Sequence, residues 1–269
     1  MKQGRNKTVF VFINLQYSVK YILQTAILDN LKNQFDQVVL ITPNSKDKEF
    51  VSLYKDNNVF IEESNYKIIE KFQNRKINRF FVATRRFIYP KDCDFGTLDL
   101  KEKFQNKTIK HKKFSKKLFS YLSLYLAKIL RKSITLRNYF LKLELLFYPS
   151  DLHNELYVKY KPDLVLVQDL GTIEKTNYHM HEGRVNKVPI IALILSWDNL
   201  TAKGVGALKP DYSFVWNERM RYELESYHEI DEESIFVNGN PVFDDHFSLL
   251  SKKNKDSIKK AEKIVLYAT

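Results

Sequence analysis

Cysteine is nearly absent from this 269-residue chain: Cys93 stands alone, so neither a disulfide framework nor a cysteine-based zinc site can be built from it. Seven glycines and seven prolines are also few, which excludes collagen-like, linker-like and low-complexity chains. No run of 18 apolar residues occurs, so no segment reads as a bilayer-spanning helix. The apolar run Val9–Ile13 is too short for the core of a signal peptide. There is no GxGxxG, no GxxxxGK[ST] and no serine nucleophile elbow, hence no dinucleotide, Walker-type or hydrolase signature. What is present is ample: 44% of residues are apolar and 14% aromatic, enough for a sizeable core. A reduced, cytoplasmic, soluble or peripheral protein is the expectation.

Charge is distributed unevenly. The net charge is +12, and residues 101–142 carry 13 Lys or Arg against one acid, Glu102. That stretch alone accounts for the whole excess. A local basic face on a neutral body calls for an anionic partner surface.

The first part of the chain alternates in the manner of βαβ units. Thr8–Asn14 and Gln37–Thr42 read as buried strands and Asn58–Glu62 as a third, separated by helical spacing over Tyr17–Gln34 and Asp47–Asp56. Residues 64–160 lack strand signals and read as a basic helical insertion. Its expected helices are Tyr66–Phe81, Phe114–Lys132, Thr135–Phe147 and a Ser150-capped helix to Tyr160, with an irregular stretch around Pro90–Gly96. Alternation then resumes with strands at Asp163–Gln168, Val188–Ser196, Tyr212–Trp216 and Ser234–Asn238, and helices at Glu174–Asn186 and Glu218–Tyr227. The pattern predicts an α/β fold with a parallel, doubly wound sheet.

Three polar runs follow the later strands. Ser196-Trp197-Asp198-Asn199-Leu200-Thr201-Ala202-Lys203-Gly204 offers a carboxylate, an amide, a hydroxyl, an ammonium and an aromatic plate, a set suited to a sugar or a phosphate. Its plainer reading is a helix N-cap at Asp198 or Asn199. Trp216-Asn217-Glu218-Arg219 opens a helix, and Gly239-Asn240-Pro241 reads as a turn, leading to Asp244. His179, His181 and Glu182 suggest a metal pair only on an extended segment, since on a helix the two histidines diverge; no metal is expected. Asp244-Asp245-His246 looks like a ligand cluster and reads as solvated instead.

In the basic segment, Phe114, Leu118, Tyr121, Leu122 and Tyr125 can share one helix face, with Lys112, Lys113, Lys116 and Lys117 at one end. Three readings stay open: a membrane-surface helix near anionic lipid with Phe114, Phe119, Tyr121 and Tyr125 at the interface, a solvated basic face, or a nucleic-acid-binding module over 101–142.

The order Ser196–Gly204, then Asp211-Tyr-Ser-Phe-Val-Trp-Asn-Glu218, then Val237-Asn-Gly-Asn-Pro-Val-Phe-Asp244, resembles glycosyltransferase-like proteins of GT-B fold from bacterial envelope and polysaccharide biosynthesis. It is similar at fold level to CDP-glycerol glycerophosphotransferases and UDP-N-acetylglucosamine 2-epimerases. The resemblance spans roughly 163–244. It implies a Rossmann-like acceptor-side domain over 1–250, a linker over 251–262, and in 263–269 the first strand of a truncated donor-binding domain. It also implies transfer of a sugar or alditol phosphate from a nucleotide donor to a lipid-linked or polysaccharide acceptor. No bound cofactor is implied, and the chain alone should be inactive. The placement would be peripheral, at the inner face of the plasma membrane. The loop Trp197–Gly204 would face the cleft, with Asp198 as base, Trp197, Asn199, Thr201 and Lys203 as substrate contacts, and Asn217 and Glu218 as the cleft wall. Where the glycerophosphotransferases carry a histidine in this loop, this chain has Asp198-Asn199. A nucleotide-sugar 2-epimerase is the alternative enzyme.

Overall fold

The computed structural model describes residues 6–14, 16–89, 96–111, 113–172 and 175–244. Seven strands form one sheet: β1 (Thr8–Phe12), β2 (Gln37–Thr42), β3 (Val59–Glu63), β4 (Leu164–Val167), β5 (Ile190–Leu193), β6 (Tyr212–Val215) and β7 (Ile235–Val237). Their order is β3-β2-β1-β4-β5-β6-β7, and every pairing is parallel. The fold is α/β and Rossmann-like. All five residues of β1 are buried, which is why its sequence reads as continuous apolar rather than alternating. The pleat still sorts its side chains: Phe10 and Phe12 join one core cluster, Val9 and Val11 the other.

Helices cover both faces of the β1–β3 half. The segment after β1 contains α1 (Gln16–Ser18), a π-helical turn at Val19–Leu23, and α2 (Ala26–Gln34). One continuous helix from Tyr17 to Gln34 is therefore corrected. Gln24 N–H closes a five-residue ring onto Val19 O at 3.1 Å, and the extended Thr25 restarts the helix by capping Ile27 N–H with its hydroxyl. Next, α3 (Lys48–Tyr54) is capped by Asp47, whose Oδ1 accepts from Glu49 N–H at 2.9 Å.

Between β3 and β4 the described residues form helices throughout: α4 (Tyr66–Gln73), α5 (Lys76–Arg85), α6 (Gly96–Ile109), α7 (Phe114–Leu130), α8 (Ile134–Leu145) and α9 (Asn154–Tyr160). The expected single helix over Tyr66–Phe81 is two, because Arg75 turns extended and Asn78 Nδ2–H donates to the freed Phe72 carbonyl at 2.8 Å. Helix α6 carries no clear apolar stripe and escapes periodicity. Ser150 does not cap α9. The helix begins after His153, since Leu152 and His153 are held by Asn65 and Glu182 instead.

The remaining helices are α10 (Thr176–Val185), α11 (Asn199–Ala202) and α12 (Glu218–His228). Helices α10 and α12 pack on one face of the β4–β7 half. On the opposite face a cleft of about 380 Å³ lies open over Leu164, Ile191, Leu193 and Phe214, walled by α2 and the turn after β7. The expected linker and last strand at 251–269, Cys93, Asp245, His246 and Lys112 lie outside the described residues.

Candidate functional site

In a parallel sheet every strand delivers its following loop to the same edge. Here the strand order reverses between β1 and β4, and the crevice beyond their carboxyl ends is where such sheets hold ligands. Asn14 follows β1 and is level with Asp169 after β4. The amide of Asn14 and the hydroxyl of Thr172 are buried without a hydrogen-bond partner among the described residues. Around them the edge is stitched tightly. Ser18 Oγ donates to Gln168 Oε1 at 2.8 Å, Gln168 Nε2 donates to the Phe12 carbonyl, and Thr176 Oγ1 donates to Asp169 Oδ2 at 2.7 Å. Lys175, at the start of α10, lies over the Tyr66 ring. Partial burial lowers its pKa to about 8, so a fraction of it is neutral near pH 7–8.

The insertion is held to this edge by buried Arg85, whose ion pair with Glu144 joins α5 to α8 within the insertion. Arg85 Nε donates to Glu144 Oε1 at 3.2 Å, and its NH1 donates to the carbonyls of Gly171 and Val205, each at 3.0 Å. Both side chains are almost fully excluded from solvent. Two glycines make the approach possible. A Cβ on Gly204 would sit 2.3 Å from Arg85 O, and one on Gly206 1.9 Å from Leu170 O.

The loop after β5 carries the expected site residues. Trp197 is exposed, and Asp198 is half-buried with Oδ1 accepting from Ser196 Oγ. Asp198 occupies the N-cap position of α11 without bonding its amides, so its carboxylate does not serve the capping role. Asn199 is buried, and its Oδ1 accepts from Lys203 Nζ at 2.7 Å. Thr201 is half-buried on α11. His228, buried at the end of α12, holds this short helix through Nε2–H to Leu200 O at 2.8 Å, and burial lowers its pKa to about 4. Lys101 of α6 donates to Ala202 O at 2.6 Å. In the loop after β6, Asn217 is the N-cap of α12, its Oδ1 accepting from Met220 N–H at 3.0 Å. Glu218 is exposed in that helix's first turn. Trp216 stacks nearly parallel to Tyr21, centroids 5.9 Å apart, at the mouth of the open cleft. Gly239 has φ +82° and Asn240 Oδ1 accepts from Val242 N–H, so Gly239-Asn240-Pro241 is the turn its residues suggest.

No protein-family model matches the sequence, and no curated protein matches it. Among solved structures the chain is similar to UDP-N-acetylglucosamine 2-epimerase from Rickettsia bellii, at 12% identity and a TM-score of 0.43, over 93% of this chain and 50% of the epimerase. The chain spans about half the length of that enzyme. Function has to be argued from the chain's own residues.

One buried cluster was not legible as such. His153, His179 and Glu182 bring ligand atoms within 4.8 Å of one another. His179 and Glu182 share a face of α10, while His181 points elsewhere and is half-buried. His153 and Glu182 form a clasp, while both ring nitrogens of His179 are buried with no hydrogen-bond partner among the described residues. His153 Nδ1–H donates to Glu182 Oε2 at 2.8 Å, its backbone N–H donates to Oε1, and its Nε2 accepts from Asn65 N–H at 3.1 Å. His179 stacks on Phe12 at 3.9 Å, and burial beside His153 and Lys175 holds its pKa well below the usual range. Asn14, Thr172 and Lys175 were also missed. Their signal is topological: they follow β1 and β4, and only the strand order makes those two strands neighbours.

Proposed function

We propose that this chain is the acceptor-side domain of a GT-B-type transferase, moving a sugar or alditol phosphate from a nucleotide donor to an acceptor hydroxyl. The reading is supported by the placement of three polar runs, after β5, β6 and β7, at one carboxyl edge beside the crevice between β1 and β4. In the sugar-transfer case the acceptor oxygen attacks the anomeric carbon, the bond from that carbon to the phosphate breaks, and the nucleoside diphosphate leaves. The acceptor proton needs a base, and Asp198 is our choice. Its Ser196 hydrogen bond orients Oδ1, and Oδ2 has no hydrogen-bond partner among the described residues. Lys203 spends one of its three donors on Asn199 and keeps two for an anionic or hydroxyl group. Trp197 offers an exposed ring for a sugar face, and Thr201, Asn217 and Glu218 are our choice for further substrate contacts.

The test is a panel of nucleotide sugars and CDP-alditols incubated with the full-length protein, with nucleotide release followed by phosphorus NMR. Acceptor-dependent release that drops about 100-fold or more in Asp198→Asn, with donor binding retained, supports the assignment. Retained turnover in Asp198→Asn removes Asp198 as base. Epimerised donor without nucleotide release overturns the transfer reaction.

A further inference from the structure

Helix α7 is built inside out. Its buried side consists of Ser120, Ser123, Leu124, Ala127 and Leu130, and the small residues let it lie close against α5. The opposite, outward side consists of Phe114, Leu118, Tyr121, Leu122, Tyr125 and Ile129, all exposed, with Phe114 at 82% and Tyr125 at 67%. Successive positions at 100° place these six within one stripe centred opposite the buried one. Helix α8 repeats the arrangement: Arg137, Phe140 and Glu144 face inward, while Leu136, Tyr139, Leu143 and Leu146 are exposed. Scattered exposed apolar residues are ordinary, but contiguous outward stripes on two helices mark an interaction surface.

The charge of the segment selects the partner. Lys107, Lys110, Lys113, Lys116, Lys132 and Lys142 are exposed and have no ion pair among the described residues. The one acid of the segment, Glu102, is already neutralised by Arg131 at 2.7 Å and Lys128 at 3.0 Å. The segment therefore presents exposed cations and exposed apolar side chains, with no uncommitted carboxylate between residues 101 and 142. An anionic bilayer complements both at once, with headgroup charge for the lysines and acyl boundary for the aromatic and aliphatic stripe. No helix among the described residues is long and apolar enough to cross a membrane, so the contact lies along the surface. Phe119 does not take part. It is half-buried and packs edge-on against Phe80, 5.6 Å between centroids.

We propose that the outward faces of α7 and α8 are a docking surface for anionic lipid bilayers, with the stripe Phe114, Leu118, Tyr121, Leu122 and Tyr125 lying in the headgroup–acyl boundary. The proposal stands apart from the catalytic reading, since it uses none of the same residues. The test is sedimentation of the whole chain with sucrose-loaded vesicles of phosphatidylcholine alone or mixed with phosphatidylglycerol. Binding to the mixed vesicles at low salt, and release near about 1 M salt where the Debye length is about 3 Å, is expected. Lys113→Glu/Lys116→Glu/Lys117→Glu should lower partitioning by about 100-fold or more. Leu118→Ser/Tyr125→Ser should lower it by about tenfold while leaving the far-ultraviolet spectrum and melting temperature unchanged, which separates lost docking from lost folding. Equal binding to neutral and anionic vesicles, no binding to either, or wild-type partitioning in both variants overturns the proposal. So does salt-dependent binding to single-stranded RNA without vesicle binding, or a stable dimer that Leu118→Ser/Tyr125→Ser dissociates.

Discussion

The inner and outer sides of the helical insertion obey opposite rules. On the inner side Arg85 and Glu144, two of the most polar residues available, are fully buried against the carboxyl edge of the sheet. On the outer side Phe114, Tyr125, Tyr139 and Leu146 face solvent. Within α7 the two rules meet at adjacent residues: Leu124 is 4% exposed and Tyr125 is 67% exposed. Side-chain polarity alone does not say which way an insertion helix faces. On the inner side Arg85 meets the backbone carbonyls of Gly171 and Val205 at the sheet edge.

The largest effect should come from breaking the inner side at its centre. Arg85→Met leaves the buried Glu144 carboxylate without its cation, with only the Tyr148 hydroxyl still donating to it, and takes the Arg85 donor from the Val205 and Gly171 carbonyls, the latter keeping Asn177 Nδ2–H. Loss of one partner of a buried pair costs about 3–5 kcal/mol, read from urea denaturation. The double variant Arg85→Met/Glu144→Leu should recover a good part of this, because no charge is then stranded. If the single variant loses less than about 1 kcal/mol, Arg85 does not hold the insertion down.

Next in size is Gly206→Ala. The added Cβ would meet the Leu170 carbonyl at 1.9 Å, backbone against backbone, so one of two loops must shift. A cost of about 1–3 kcal/mol is expected, again by urea denaturation. Parity with wild type would mean that the loops after β4 and β5 are not in this close contact.

These two sites also show where reading the sequence stops. The strands were legible because β-branched and aromatic runs alternate with helical spacing, and the α/β parallel class followed from that alternation. The placement of the polar runs after β5, β6 and β7 was legible for the same reason: in a parallel sheet all of them share an edge. The Arg85–Glu144 pair was not, because its members are 59 residues apart and nothing in either neighbourhood marks them. The break at Thr25 and the split at Arg75 were hidden inside continuous apolar spacing, since a capping side chain competes with the helix without altering its pattern. Asn217 reads from the sequence as cleft wall, and its Oδ1 is committed to Met220 N–H as the cap of α12.

Acid should separate the α11–α12 contact from the rest. His228 has a folded pKa of about 4, lowered by burial, against an unfolded value near 6.5. The unfolded chain therefore binds more protons between these values. Stability is complete above about pH 6.5 and falls as pH drops toward 4. For His228 alone the loss by pH 5 is roughly 2 kcal/mol, and His179, shifted in the same direction, adds to it. His228→Gln keeps an N–H donor for Leu200 O but does not titrate in this range. Its urea midpoint should change less between pH 7 and pH 5 than that of wild type. An unchanged pH slope would show that His228 is protonated in the folded protein.

The smallest effect belongs to the outer side, and its smallness is the informative part. Leu124→Ala removes a buried side chain from the α5–α7 contact and should cost about 2–5 kcal/mol. Tyr125→Ser, one residue on, removes a larger side chain that is 67% exposed and should change stability by no more than about 0.5 kcal/mol. Leu118→Ser should behave likewise. Both are measured by the same urea denaturation, so the contrast is internal to one helix. A cost of more than about 1 kcal/mol at Tyr125 would place its ring against something in the folded chain. A null result removes folding as the reason for an aromatic and aliphatic stripe in solvent, and leaves the basic, acid-poor surroundings of that stripe to identify what it meets.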